Sequence, residues 1–207
     1  MKLHRFDLSS RRSGFTLLEL MVVIVIVGVL LGAFIVSGGG IFGKAEINNT
    51  KTRLQTLAQL IASYRSVEND YPDDRLPRNA SASALNENSE ALCLAFFDPS
   101  YTGQKPKLEW LGNTDDDSSS RQLTIFSDKQ LKEIVDGWGN PIVYFESMHY
   151  DRAAQCFAGE DGQFVEQTVT PARDQGTGLA LGQNGFQLIS AGPDGIFDTE
   201  DDIVHAN

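Results

Sequence analysis

One carboxylate, Glu19, stands inside a run that is otherwise free of charge over residues 15–36. A carboxylate at bilayer depth costs roughly 2.5–3.5 kcal/mol on insertion scales, and such groups usually mark function. It needs a positive partner, and the run holds no Lys or Arg to supply one. A second concentration of acid closes the chain: Asp194, Asp198, Glu200, Asp201 and Asp202. Carboxylates packed this densely repel one another unless a cation intervenes. Ca2+ takes about six to eight oxygen ligands, backbone carbonyls included, and a loop rich in Gly and Pro can wrap one. The spacing is not that of an EF-hand, because no Asp-x-Asp-x-Asp-Gly order occurs. The bland alternative is a solvated acidic tail.

Other chemistry finds little support. Two cysteines, Cys93 and Cys156, are too few for a disulfide framework or a zinc site built from cysteines alone. They can pair if the C-terminal part lies outside the cytoplasm; otherwise they are two unpaired thiols, with Cys93 inside the apolar run of residues 91–97. No Gly-x-Ser-x-Gly elbow and no His-Glu-x-x-His helix occurs. His149 and Cys156 lie near each other in sequence without an orienting third group. The phrase Gly38-x4-Gly43-Lys44 imitates a phosphate-binding loop, but Ala45 stands where a Ser or Thr must hold Mg2+, and an apolar helix precedes it in place of a buried strand. The residues argue for a non-enzyme. The net charge of -11 and pI near 4.6 argue against nucleic-acid binding, which needs clustered Lys and Arg.

The acidity is unevenly placed. Residues 1–14 carry Lys2, Arg5, Arg11 and Arg12 against Asp7 alone. As a helix, residues 15–36 span roughly 33 Å, and a bilayer core is about 30 Å. The basic flank predicts that the N-terminus stays in the cytoplasm and that residues from 38 onward lie outside. An ordinary signal peptide has a shorter apolar stretch, of about 7–15 residues. A plain signal anchor accounts for everything except Glu19.

The phrase Ser13-Gly14-Phe15-Thr16-Leu17-Leu18-Glu19-Leu20-Met21-Val22-Val23-Ile24 resembles the cleavage and methylation motif of type IV prepilins and pseudopilins. Its elements are a short basic leader, Gly before the cut, Phe after it, and Glu at the fifth mature position. The resemblance implies that a membrane aspartyl prepilin peptidase cuts between Gly14 and Phe15 and methylates the new Phe15 amine. It also supplies the missing counter-charge: the Phe15 ammonium of one subunit pairs with Glu19 of a neighbour and sets the register of assembly.

Beyond the membrane segment, Ser37-Gly38-Gly39-Gly40 and Gly43 are expected to interrupt the helix, since each interior Gly costs roughly 0.8–1 kcal/mol relative to Ala. Ile47, Leu54, Leu57, Ile61, Tyr64 and Val67 then form one apolar stripe, with Lys51, Arg53, Gln55 and Gln59 elsewhere. Tyr71-Pro72-Asp73-Asp74 ends the helix. Residues 73–88 read as a loop, 89–97 as a short helix, and Thr114-Asp-Asp-Asp-Ser-Ser-Ser120 as a charged, flexible loop. Residues 122–126, 142–145 and 185–190 read as strands. Between the first two, Asp136-Gly-Trp-Gly-Asn-Pro141 is a turn carrying an aromatic. Residues 146–184 match no pattern.

The expected fold is α+β: a long N-terminal helix, membrane-spanning in its first half, packed on a small antiparallel sheet with a C-terminal metal-binding loop. The divisions are a cleaved leader (1–14), a membrane and filament-core helix (15–36), a Gly-interrupted amphipathic stalk (37–72) and a periplasmic globular domain (73–207). The phrases Tyr64-x4-Asn69-Asp70-Tyr71-Pro72, Asp-x-Trp-Gly-x-Pro and Ser-x-Gly-x-Asp-Gly followed by Asp-Asp-Ile resemble the major pseudopilins of type II secretion systems. That resemblance implies Ca2+ held by Asp194, Asp198 and Asp202, with Ser190 contributing and Asp201 and Glu200 as weaker candidates. It implies a bacterial inner-membrane protein, single-pass, assembled into a periplasmic filament. Its partners would be the prepilin peptidase, further copies of itself, minor pseudopilins and an inner-membrane assembly platform. A type IV pilin, a minor subunit, or a binding module displayed on a pilin helix with residues 146–184 as its recognition loop are the alternatives.

Overall fold

The computed structural model describes residues 17–207 apart from 79, 81 and 82, with residues 30–42 and 161 described by their backbone. Helix α1 (Leu17–Glu68) runs through all of the glycines at 38–43, contrary to the expected interruption. Helix propagation is cooperative, so a few residues of low propensity are carried by the long stretches on either side. Asn69 closes the helix in the left-handed conformation (φ 62°), its N–H bonded to the Arg65 carbonyl at 2.9 Å. Asn tolerates that cap, and the helix stops two residues short of Tyr71-Pro72.

The chain divides into two units, Met1–Phe42 and Gly43–Asn207. In the second, α1 buries Leu54, Leu57, Leu60 and Ile61, with Ile47 and Tyr64 partly buried alongside. The predicted stripe is therefore present, with two corrections. Val67 is 48% exposed and leaves it. Arg53, expected on the polar side, is 9% exposed because its guanidinium finds acceptors on a distant turn.

Helix α2 (Glu87–Phe97) follows, close to the expected 89–97. The strands are β1 (Leu111–Gly112), β2 (Glu133–Ile134), β3 (Val143–Glu146), β4 (Ala154–Ala158), β5 (Val165–Val169), β6 (Phe186–Ser190) and β7 (Ile203–Ala206). Among the described residues they form three antiparallel sheets, β1-β2, β3-β6-β7 and β4-β5, where one was expected. Residues 122–126 are not a strand: the Gln122 amide folds back onto the carbonyls of Thr124 (3.3 Å) and Phe126, making a local turn. The unmatched stretch 146–184 contains the β4-β5 hairpin, whose register sets Cys156 against Gln167.

Strands β3 and β6 of sheet β3-β6-β7 are buried on both faces, and strand alternation decides what each face meets. Tyr144, Phe186 and Leu188 enter a core with Leu54, Leu57, Ile61, Leu92 and Phe96 of the helices. Val143, Phe145 and Ile189 enter a second core with Ala154, Cys156, Ala158 and Val169 of the hairpin. The result is three layers: helices, central sheet and hairpin. The Tyr144 hydroxyl, buried by this arrangement, donates to the Pro72 carbonyl at 2.9 Å, which satisfies a group that would otherwise be costly to bury.

Candidate functional site

Glu19 lies in the first described turn of α1, among side chains that are exposed from Leu17 (78%) to Val29 (67%). Gly14 and Phe15 lie outside the described residues. The described apolar side chains, residues 17–29, cover about 20 Å of helix. Among the described residues no helix is long and apolar enough to cross a membrane. The expected span of 15–36 extends past these side chains at both ends.

The turn at 136–141 ties the layers of the second unit together. Asp136 Oδ1 accepts the N–H groups of Trp138 (2.9 Å) and Asn140 (3.0 Å). Its Oδ2 accepts the Ser190 hydroxyl of β6 at 2.6 Å. Burial raises the Asp136 carboxyl above its ordinary range, and these three donors oppose that rise. Asn140 Oδ1 takes the Gly159 N–H beyond β4 at 2.9 Å. On α1, Thr50 Oγ1 accepts the Gly137 N–H at 3.0 Å, and Arg53 donates to the carbonyls of Val135 and, at 2.9 Å, of Asp136. Arg53 also stacks over the Trp110 ring, 5.2 Å from its centre. Trp138 is partly buried against the first core.

In the C-terminal loop, the chain hydrogen-bonds its acids to its own backbone. Asp194 Oδ1 accepts the Ile196 N–H at 2.8 Å, and Asp201 Oδ2 accepts the Asp194 N–H at 3.3 Å. Asp202 Oδ2 accepts the Asp198 N–H at 2.9 Å, while Asp202 Oδ1 is buried without a partner. Asp198 takes the left-handed conformation, φ 64°. Burial pushes the Asp202 carboxyl up to about 6, with repulsion from Asp198, Asp201 and Asp194 adding to it. Among the described residues, no three of these acids bring carboxylate oxygens within 4.8 Å of one another. Ser190 departs from the expected set: it is fully buried and its hydroxyl is spent on Asp136.

Cys93 and Cys156 are free, buried thiols, one in each core. Burial raises both thiols above their ordinary range, so neither is disposed to form a thiolate. Two further acidic groups are brought together by the fold. Asp74 bonds His149 Nδ1 at 2.7 Å and the Glu146 N–H at 3.1 Å, beside Asp73. Glu90, Asp115 and Asp117 bring one carboxylate oxygen each within 4.8 Å of one another. The only signal for the latter was the run Asp115-Asp116-Asp117, read as a flexible loop; Glu90, in a short helix, gave none.

Residues 9–35 match the family described as the prokaryotic N-terminal methylation motif. No curated protein and no solved structure matches the chain. The matched stretch holds Gly14, Phe15 and Glu19 and runs into the exposed apolar part of α1. It supports a type IV pilin-like or pseudopilin-like subunit, processed by a prepilin peptidase, and points to a structural role in preference to catalysis. The chain carries the prepilin signal of type IV pilin-like proteins at its N-terminus.

Proposed function

We propose that the chain is the major pseudopilin, or a close relative, of a type II secretion system, polymerising into a short periplasmic filament that acts as a piston. The observation that carries the reading is the prepilin motif at residues 9–35, continued by a helix whose apolar side chains stay exposed in the single chain. Such a surface demands cover, and lipid before assembly and neighbouring α1 helices after it would provide that cover in turn. Cleavage after Gly14 creates an ammonium at Phe15. Paired with Glu19 of the next subunit, it neutralises a carboxylate that is costly in an apolar setting.

The subunit would sit in the inner membrane with its N-terminus cytoplasmic and residues 43–207 in the periplasm. Its partners would be the prepilin peptidase, minor pseudopilins and the assembly platform. Asp194, Asp198, Asp201 and Asp202 would hold Ca2+, which would neutralise their mutual repulsion and fix the loop that leads into β7. Mass spectrometry of the protein from membranes tests the processing: the expected mature chain begins at Phe15 and carries one added methyl. A chain that still begins at Met1, or that begins after residue 36, refutes it. A genetic neighbourhood holding pilus-retraction components in place of secretion components would move the assignment to a type IV pilin.

A further inference from the structure

We infer that Glu90, Asp115 and Asp117 form a second divalent-cation site, separate from the C-terminal loop and suited to a hard cation of the Ca2+ class. Glu90, in the first turn of α2, is 1% exposed. Among the described residues, no hydrogen-bond donor reaches either of its buried carboxylate oxygens, or either oxygen of Asp115 or of Asp117, at ordinary hydrogen-bond geometry. One oxygen from each residue lies within 4.8 Å of the other two. Three carboxylate oxygens thus converge, one from α2 and two from the loop after β1.

The loop is shaped to do this. Asp116 adopts the left-handed conformation (φ 54°) and is exposed, while Asp115 and Asp117 on either side of it are drawn inward. The Asn113 side chain fixes the bend, accepting the Asp117 N–H at 3.2 Å and donating to the Asp117 carbonyl at 3.0 Å. Glu133 of β2, fully buried, adds negative charge behind the cluster. Its oxygens are already taken by Asn86 Nδ2 at 2.9 Å and the Thr114 N–H at 3.2 Å, so it acts from outside the ligand set.

Among the described residues, no ion pair reaches Glu90, Asp115, Asp117 or Glu133. Lys132, the neighbouring cation, is directed to Asp128 (3.6 Å) and Gln130 (2.8 Å). Without compensation the buried carboxylates cannot ionise together. Either protons or a metal must fill the site. Shared protons link carboxyls only in pairs, whereas Ca2+ accepts about six to eight oxygens in a flexible shell, with water completing it. An all-oxygen set excludes preference for the softer transition metals.

The inference does not depend on filament assembly. Its test uses the full chain in detergent, freed of metal with chelator and titrated calorimetrically with CaCl2 at pH 7. An Asp198→Asn/Asp202→Asn background silences the C-terminal loop. That background is expected to bind one Ca2+. Adding Glu90→Gln/Asp117→Asn should weaken binding at least tenfold. It should leave the melting temperature in chelator unchanged or higher, because Gln and Asn copy the neutral carboxyls. A background that binds no Ca2+, or an affinity untouched by Glu90→Gln/Asp117→Asn, overturns the site. Should the background fail to fold, the wild-type chain and Glu90→Gln/Asp117→Asn alone decide: loss of one bound equivalent supports the site, and equal stoichiometry and affinity refute it.

Discussion

Replacing Asp136 separates what its acceptor geometry contributes from what its charge contributes. The side chain is 2% exposed and receives three donors, two from its own turn and one from Ser190, which is itself fully buried. Asp136→Ala leaves all three without an acceptor. A buried unsatisfied donor costs about 1–3 kcal/mol. The partly exposed Trp138 N–H recovers some of that from water, so the expected loss is about 3–6 kcal/mol. Asp136→Asn keeps Oδ1 for the two N–H groups, and its new amide donates to Ser190 Oγ once that hydroxyl rotates. The expected loss is then about 1–2 kcal/mol. Urea unfolding of Gly43–Asn207, which contains both cores, measures the two values by tryptophan fluorescence. Equal losses for Ala and Asn would mean that the negative charge beside Arg53 is what matters and that the acceptor geometry is incidental. A loss under about 1 kcal/mol for Ala would mean that water reaches all three donors.

Glu19→Ala should enter the membrane normally, since it removes a costly charge, yet filaments seen by electron microscopy should be few and short; normal filaments would exclude Glu19 as the contact that sets register. Thermal melts of the full chain should rise with Ca2+ by several degrees, and Asp198→Asn/Asp202→Asn should remove part of that gain; a gain identical to wild type would reject the C-terminal loop as a site. In chelator, stability should fall as the pH rises. Glu133 titrates at about 7 in the folded chain against 4.5 in the unfolded one, chiefly because it is buried, so the folded form holds a proton that the unfolded form has released. That contribution is fully present below about 4.5 and is lost as the pH climbs to about 7. Melts at pH 5 and pH 8 check it, and a higher melting temperature at pH 8 would reverse the sign.

The parts of this chain that could be read from sequence are those governed by local periodicity. The stripe of Leu54, Leu57 and Ile61 is set by helical spacing and is buried as expected. The strands near 142–145 and 185–190 are apolar runs bounded by turn residues, and both are present. The hairpin β4-β5 gave no comparable signal. Its inward positions are Ala154, Cys156 and Ala158, small residues that alternate with Gln155 and Phe157, so the pattern of a half-buried strand is nearly flat. Arg53 misled for a different reason: its charge argues for solvent, and only a turn more than eighty residues away shows why it is inside. The acidic clusters split in the same manner. Crowding at 194–202 is visible in the sequence, but Glu90 meets Asp115 and Asp117 only because α2 and the loop after β1 are folded together.

The clasp between α1 and the turn at 136–141 has a mechanical meaning. Thr50 and Arg53 hold that turn by its backbone, through the Gly137 N–H and the carbonyls of Val135 and Asp136. These contacts bridge 87 and 83 residues of chain for Thr50 with Gly137 and Arg53 with Asp136. In a filament assembled through α1, as proposed above, load on the helix would pass into the sheet at this clasp through several hydrogen bonds that must stretch together. Asp136 continues the path to Ser190 of the central strand, and Asn140 to the start of the loop beyond β4. Tension on one helix would in this way be spread over three layers: α1 grips the turn by main-chain atoms, and the turn passes the load on through the side chains of Asp136 and Asn140.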